Sequence, residues 1–316
     1  MSTVDEPAVD VRVDVRVDVR KTYKLYVGGA FPRSESGRSY QVTTADGAFW
    51  ANAAQASRKD ARDAVAAARK AFAGWSGATA YNRGQVLYRV AEVMEGRRAQ
   101  FANEVARGEG LSAADASRVV DAAVDRWVWY AGWTDKVAQV AGAANPVAGP
   151  YFNLSVPEPT GVVAVLAPQT SSLLGLVSVL APVLASGSTC VLLASQSRPV
   201  PAITLSEVFA TSDLPGGVAN VLTGITAEVA PWLASHEGVD ALDLAGAAPL
   251  RESQPTVDWG ELEAAASPTL TRVVRPAGRG PSAEPLVEPD WTATPDGPSR
   301  ILAFTETKTV WHPKGR

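Results

Sequence analysis

Cysteine and histidine are almost missing from this chain of 316 residues: Cys190 is the one thiol, and His236 and His312 are the only imidazoles. A single cysteine closes no internal disulfide, and two histidines are too few soft ligands for a transition-metal framework, so disulfide and metal scaffolds are excluded. Positive charge is not in excess either. A formal net charge of -4 supplies no basic field for phosphate backbones or anionic lipid, which leaves small molecules and other proteins as partners. No apolar run approaches the roughly 18 residues of a membrane span, and no charged start leads into an apolar stretch with a small-residue cleavage site. A cytoplasmic chain is expected. What is present is apolar content, 46% of residues, enough for an ordinary core in one large or two moderate domains.

Residues 9–20 repeat Val-Asp-Val-Arg. Apolar and charged residues alternate there with cancelling charge, a pattern that suits a disordered tail over 1–20 and also an edge strand; disorder in the isolated chain is the expectation. Gly28-Gly29, set between Val27 and Ala30, supplies the positive φ of a two-residue turn and predicts a hairpin over 23–31. Ala61, Val65, Ala68 and Phe72 recur at helical spacing in a helix over 57–75, with Ser57 and Asp60 available as caps. A second helix is predicted over 82–105. A third, over 111–136, carries Trp127, Trp129, Tyr130 and Trp133, whose large area points to core packing. Residues 142–159 are interrupted by glycine and proline, with an extended piece over 151–156.

The pattern then changes to short apolar runs at 160–167, 190–193, 219–222 and 241–244, separated by helical patterns at 172–185, 201–211 and 227–235. Strands apolar on both faces and separated by helices predict a doubly wound α/β domain with a parallel sheet covered on both sides. Residues 247–300 are rich in proline and glycine, with weak helix signals over 259–266, and predict irregular structure or a linker. The final run, 301–311, from Ile301 to Trp311, alternates as a strand does and must pair with something. In such a domain ligands bind outside the carboxyl ends of the strands, here the loops 167–172, 194–198, 223–226 and 245–248. None of these loops contains G-x-G-x-x-G, and the chain has no G-x-x-x-x-G-K-[ST].

Several stretches carry a resemblance: Tyr26-Val27-Gly28-Gly29-Ala30-Phe31; the alanine-rich helix 64–75 ending in Trp75; Asn82-Arg83 followed by Leu87, Val90 and Ala91; Pro157-Glu158-Pro159-Thr160-Gly161-Val162-Val163; Leu214-Pro215-Gly216-Gly217-Val218 with Asn220 and Thr223-Gly224; and Ala303-Phe304-Thr305-Glu306-Thr307-Lys308-Thr309-Val310-Trp311. Over 23–248 and again over 301–315 the chain resembles the aldehyde dehydrogenase superfamily. The resemblance implies a Rossmann-like NAD-binding-type domain over 21–250 and an oligomerisation strand over 301–316. It also implies cofactor contacts at Ala167, Pro168, Ser195, Gly224 and Gly246.

The departures bear on function. The family's proline-tryptophan-asparagine motif falls on Pro168-Gln169-Thr170, so Thr170 stands where an asparagine amide stabilises the oxyanion, a contact worth about 3 kcal/mol. The lysine and glutamate that hold the adenosine ribose fall on Leu193 and Gln196, which weakens NAD binding. The glycine-serine turn falls on Gly246-Ala247, and the helix to follow begins at Ala248-Pro249. The family's catalytic cysteine and glutamate come from a second half for which 251–300 stands as an irregular remnant. Cys190 aligns inside a central strand as a buried small hydrophobe, and Glu261 and Glu263 read as solvated surface groups. His236 and His312 suggest no Ser-His-Asp arrangement. The expectation is a non-catalytic subunit, with no catalytic or metal-binding residue, that docks through 301–311 and 151–156 onto a full-length enzyme. The second reading is an oxidoreductase active on aldehydes that takes its cysteine and glutamate from a partner chain.

Overall fold

The computed structural model describes residues 21–247, 257–276 and 289–314. The repeat tail 1–20, the Ala248-Pro249 helix start and most of the remnant on either side of 257–276 lie outside the described residues.

Three short strands, β1 (Thr22–Tyr23), β2 (Ser39–Thr43) and β3 (Phe49–Ala54), form a small sheet in the order β1-β3-β2. The Gly28-Gly29 turn is present: Val27 and Ala30 exchange both backbone hydrogen bonds, at 2.9 and 3.1 Å, with φ of +62° and +86° at the glycines. Its arms continue through one further bond, from the Leu25 N–H to the Pro32 carbonyl at 3.1 Å, while Tyr26 bridges to Val221 and Tyr23 joins β3 in parallel. A Cβ on Gly29 would lie 2.9 Å from the Cα of Gly216. Only glycine lets the two backbones meet there.

α1 (Arg58–Gly77) opens with a capping box in which Ser57 and Asp60 bond each other's backbone, and Asp60 also accepts from Ser34 Oγ at 2.7 Å. The helix predicted over 82–105 is two helices, α2 (Ala80–Gly96) and α3 (Arg98–Glu109). The break follows Gly96, where Arg97 leaves helical dihedrals and turns its guanidinium to Gln100 and Glu207. α4 (Ala113–Trp133) is capped by Ser112; it buries Trp127 edge-on against Phe209, along with Tyr130, and leaves Trp129 and Trp133 half-buried. α5 (Val137–Ala141), β4 (Ala143–Ala144) and β5 (Tyr151–Pro159) follow.

The α/β layer is β6 (Val162–Leu166), α6 (Leu174–Ser186), β7 (Thr189–Leu193), α7 (Val200–Phe209), β8 (Ala219–Leu222), α8 (Thr226–Ala234) and β9 (Ala241–Asp243). α9 (Trp259–Ala266) and β10 (Arg272–Val274) complete it. All pairs are parallel in the order β10-β9-β6-β7-β8, so the chain winds outward from β6 in both directions. Every residue of β6 to β9 is buried, as the unbroken apolar runs require. Within the segment 247–300, expected as irregular, the helix signal over 259–266 is α9, and β10 is a fifth strand that was not expected. Three residues are too few to show a period, and β10 exists because β9 offers it a ladder.

α10 (Ser299–Leu302) and β11 (Thr305–Pro313) end the described chain. The terminal strand therefore begins four residues later than the alternation suggested. It pairs antiparallel with β5 from Thr305↔Pro159 to Pro313↔Tyr151, in a sheet ordered β11-β5-β4. Three arginines fasten this end to the body. Arg126 donates to Ser178 Oγ at 2.6 Å and to the carbonyls of Trp291 and Ala293; Arg272 holds the carbonyls of Ala303 and Thr305; and Arg300 pairs with the fully buried Asp243. Among the described residues no helix is long and apolar enough to cross a membrane.

Breaking a buried ion pair from one side strands a charge and costs about 3–5 kcal/mol. Arg300→Met is expected to lower unfolding free energy in urea by that order, and adding Asp243→Leu to recover at least half of the loss. A double variant no more stable than Arg300→Met would show that the pair is not what holds this end.

Candidate functional site

The loops that leave β6, β7 and β8 at their carboxyl ends are laced together by side chains. Ala167 donates its N–H to the Leu193 carbonyl at 3.0 Å, and its own carbonyl accepts from Gln169 Nε2 at 3.1 Å. Gln169 Oε1 accepts from the Gln196 backbone N–H at 2.9 Å, and Gln196 Oε1 accepts from the N–H of Thr226, the first residue of α8, at 3.0 Å. Ser195 Oγ donates to the Gln169 carbonyl at 3.1 Å and accepts from the Arg198 N–H. The Arg198 guanidinium donates to the Thr170 carbonyl. At the far end of the first loop, Glu109 accepts from both the N–H and the Oγ of Ser172, at 2.6 and 2.7 Å. A carboxylate from the end of α3 thus sits at the amino end of α6, where the helix dipole favours negative charge.

The predicted site residues fall as follows. Ala167, Pro168, Ser195 and Gly246 share one neighbourhood. A Cβ on Gly246 would lie 2.3 Å from the Leu166 carbonyl oxygen and 2.6 Å from the Pro168 nitrogen, so this turn rests directly on the loop after β6. Gly224 lies on the other side, against the backbone of Ala56 that leads into α1. Thr170 is exposed at the rim. Leu193 is buried within the apolar layer beside Val191 and Leu222, and Gln196 spans to α8. Gln169, Arg198 and Glu109 hold the site without having been singled out in the sequence. Gln169 and Arg198 lie in loops already suspect, but Glu109 is 63 residues from Ser172 and nothing local announces it.

The other chemically capable groups are placed elsewhere. Cys190 lies fully buried in β7, and burial pushes its thiol from an ordinary 9.0 to about 12. Glu261 is exposed, and Glu263 is bound by the Arg275 guanidinium at 3.0 Å. His236 Nδ1 accepts from the Gly238 N–H, a turn-forming role, and His312 is exposed on β11 opposite Phe152. Among the described residues no three metal-ligating side chains cluster.

The sequence model of the aldehyde dehydrogenase family matches residues 31–252. A (Z)-2-((N-methylformamido)methylene)-5-hydroxybutyrolactone dehydrogenase from Acinetobacter baylyi is 32% identical over 229 residues, covering 71% of this chain and 46% of that protein. Retinal dehydrogenase 2 of Gallus gallus is 32% identical over 231 residues, covering 72% and 44%. The NAD+ complex of an aldehyde dehydrogenase from Bacillus cereus superposes with a TM-score of 0.73 at 25% identity, over 80% of this chain and 50% of that one. The chain spans about half the length of the curated relatives it matches.

Burial of Cys190 makes two behaviours measurable. A thiol reagent at neutral pH should label it no faster than the protein unfolds, and prompt labelling would show an accessible thiol. The folded thiol titrates above its unfolded value, so its contribution to stability is complete below about pH 9 and is lost as pH rises from about 9 to about 12. Raised tyrosines such as Tyr23 act in the same direction. The measurement is therefore the difference in alkaline slope between wild type and Cys190→Ala, which is expected to be shallower.

Proposed function

The chain belongs to the aldehyde dehydrogenase family, and from that membership we propose that it is a non-catalytic subunit that assembles in the cytoplasm with a full-length NAD-dependent member and stabilises or regulates it. The observation that carries the first half is the placement of Cys190. The one thiol in the sequence is locked between strands with its proton held, so the chain offers no thiolate to attack an aldehyde.

The donor set at the strand ends does not fit NAD. Leu193 is buried and has no hydrogen bond to give a ribose, and the side-chain oxygen of Gln196 is held by the Thr226 N–H at the start of α8.

Assembly is supported by the β5–β11 ribbon. Phe152, Leu154, Val156 and Val310 alternate onto one face of it, each 40% exposed or more, with Leu154 directly opposite Val310. Four exposed apolar side chains beside an open edge strand, with Lys308 opposite Val156 and His312 opposite Phe152 on the same face, are the kind of surface another chain covers, by side-chain packing or by adding a strand.

The test uses substitution rather than deletion, because removing the terminus would also remove Ile301 and Phe304 from the core. Wild type drawn from its native cytoplasm is expected to bring down a full-length aldehyde dehydrogenase in fixed ratio. Leu154→Asp/Val310→Asp is expected to lower that recovery at least tenfold while melting at the same temperature. Undiminished recovery would sink the assembly surface, and aldehyde oxidation by the isolated chain would sink the non-catalytic assignment.

A further inference from the structure

We infer that Gln169 and Gln196 form an internal latch that shuts the strand-end crevice against a dinucleotide. The inference deepens the cofactor-free reading above and concerns the isolated chain, so it stands or falls separately from assembly.

A continuous series of bonds crosses the crevice, from the Ala167 carbonyl through both ends of the Gln169 carboxamide to the Gln196 backbone, and from the Gln196 carboxamide to the N–H of Thr226. It ties the loop after β6 to the loop after β7, and that loop to α8. In an open parallel sheet this is where a nucleotide lies, and the first free N–H groups of the following helix are what an anionic phosphate would take. Gln196 Oε1 already holds that position on α8. Arg198, the cation of these loops, has its guanidinium on the Thr170 carbonyl.

Thr226 Oγ1 is buried beside the capped N–H without a hydrogen-bond partner among the described residues. Opening the junction would release that hydroxyl together with the N–H. Gln196 thus acts as a neutral stand-in for an anion: it caps the Thr226 N–H and joins the loop after β7 to α8.

The full chain can be titrated with NAD, and in parallel with inorganic pyrophosphate, following tryptophan fluorescence and hydrogen exchange at the Gln196 and Thr226 amides. Wild type is expected not to saturate at millimolar NAD. Gln196→Ala should bind NAD at least tenfold more tightly and exchange the Thr226 amide at least tenfold faster. Gln196→Glu keeps an acceptor on that amide, so the Thr226 amide should exchange as slowly as in wild type. Should Gln196→Ala fail to fold, Gln169→Ala carries the same comparison, since it removes the anchor and leaves the α8 cap. Wild-type affinity within twofold of the opened variant, or no gain on opening, overturns the latch.

Discussion

A parallel strand buried on both faces can satisfy its backbone only through its neighbours and its side chains only through helices laid over it. Everything else in this protein is arranged around that requirement. β6, β7, β8 and β9 expose nothing, so α1 and α8 cover one face, and α6 and α7 pack with α2 to α4 over the other. The two apolar clusters are the two sides of one sheet. The polar groups are thereby driven to the ends of the strands, where the loops must hold themselves together.

The same constraint explains the C-terminal segment. A sheet edge left at β9 would carry unpaired backbone, and β10 supplies the pairing. Arg300 then meets Asp243 at the end of β9, Arg272 on β10 grips the carbonyls of Ala303 and Thr305, and β11 is laid along β5. Ile301 and Phe304 enter the main core at the same point. The terminal segment is thus built into the domain, while one face of its strand pair carries the exposed side chains of Phe152, Leu154, Val156 and Val310.

At the strand ends a family resemblance and a local chemistry diverge. The backbone framework superposes on that of an NAD+-bound aldehyde dehydrogenase with a TM-score of 0.73. The side chains in that framework now bond one another. Leu193 adds to the apolar layer, and Gln169, Gln196, Ser195 and Glu109 spend their polar atoms on loop carbonyls and amides.

Much of this was legible in the residues. The apolar runs and their helical spacers predicted the doubly wound sheet, the Ser57-to-Asp60 spacing predicted a capped helix, Gly28-Gly29 predicted a tight turn, and Leu193 and Gln196 stood out against the family pattern, because each of these signals is local and of fixed period. The break at Arg97, the strand β10 and the later start of β11 were not legible, since a three-residue strand has no period and a helix can end where a distant partner such as Glu207 claims a side chain. The bonds of Glu109 to Ser172, Arg300 to Asp243 and Gln196 to Thr226 join residues 63, 57 and 30 apart. Sequence by itself determined which segments must be buried and where the family's residues change, at Leu193 and Gln196. Only the tertiary structure decided which polar groups meet, because a hydrogen bond depends on ångström-scale approach between chain segments that no spacing along the chain encodes.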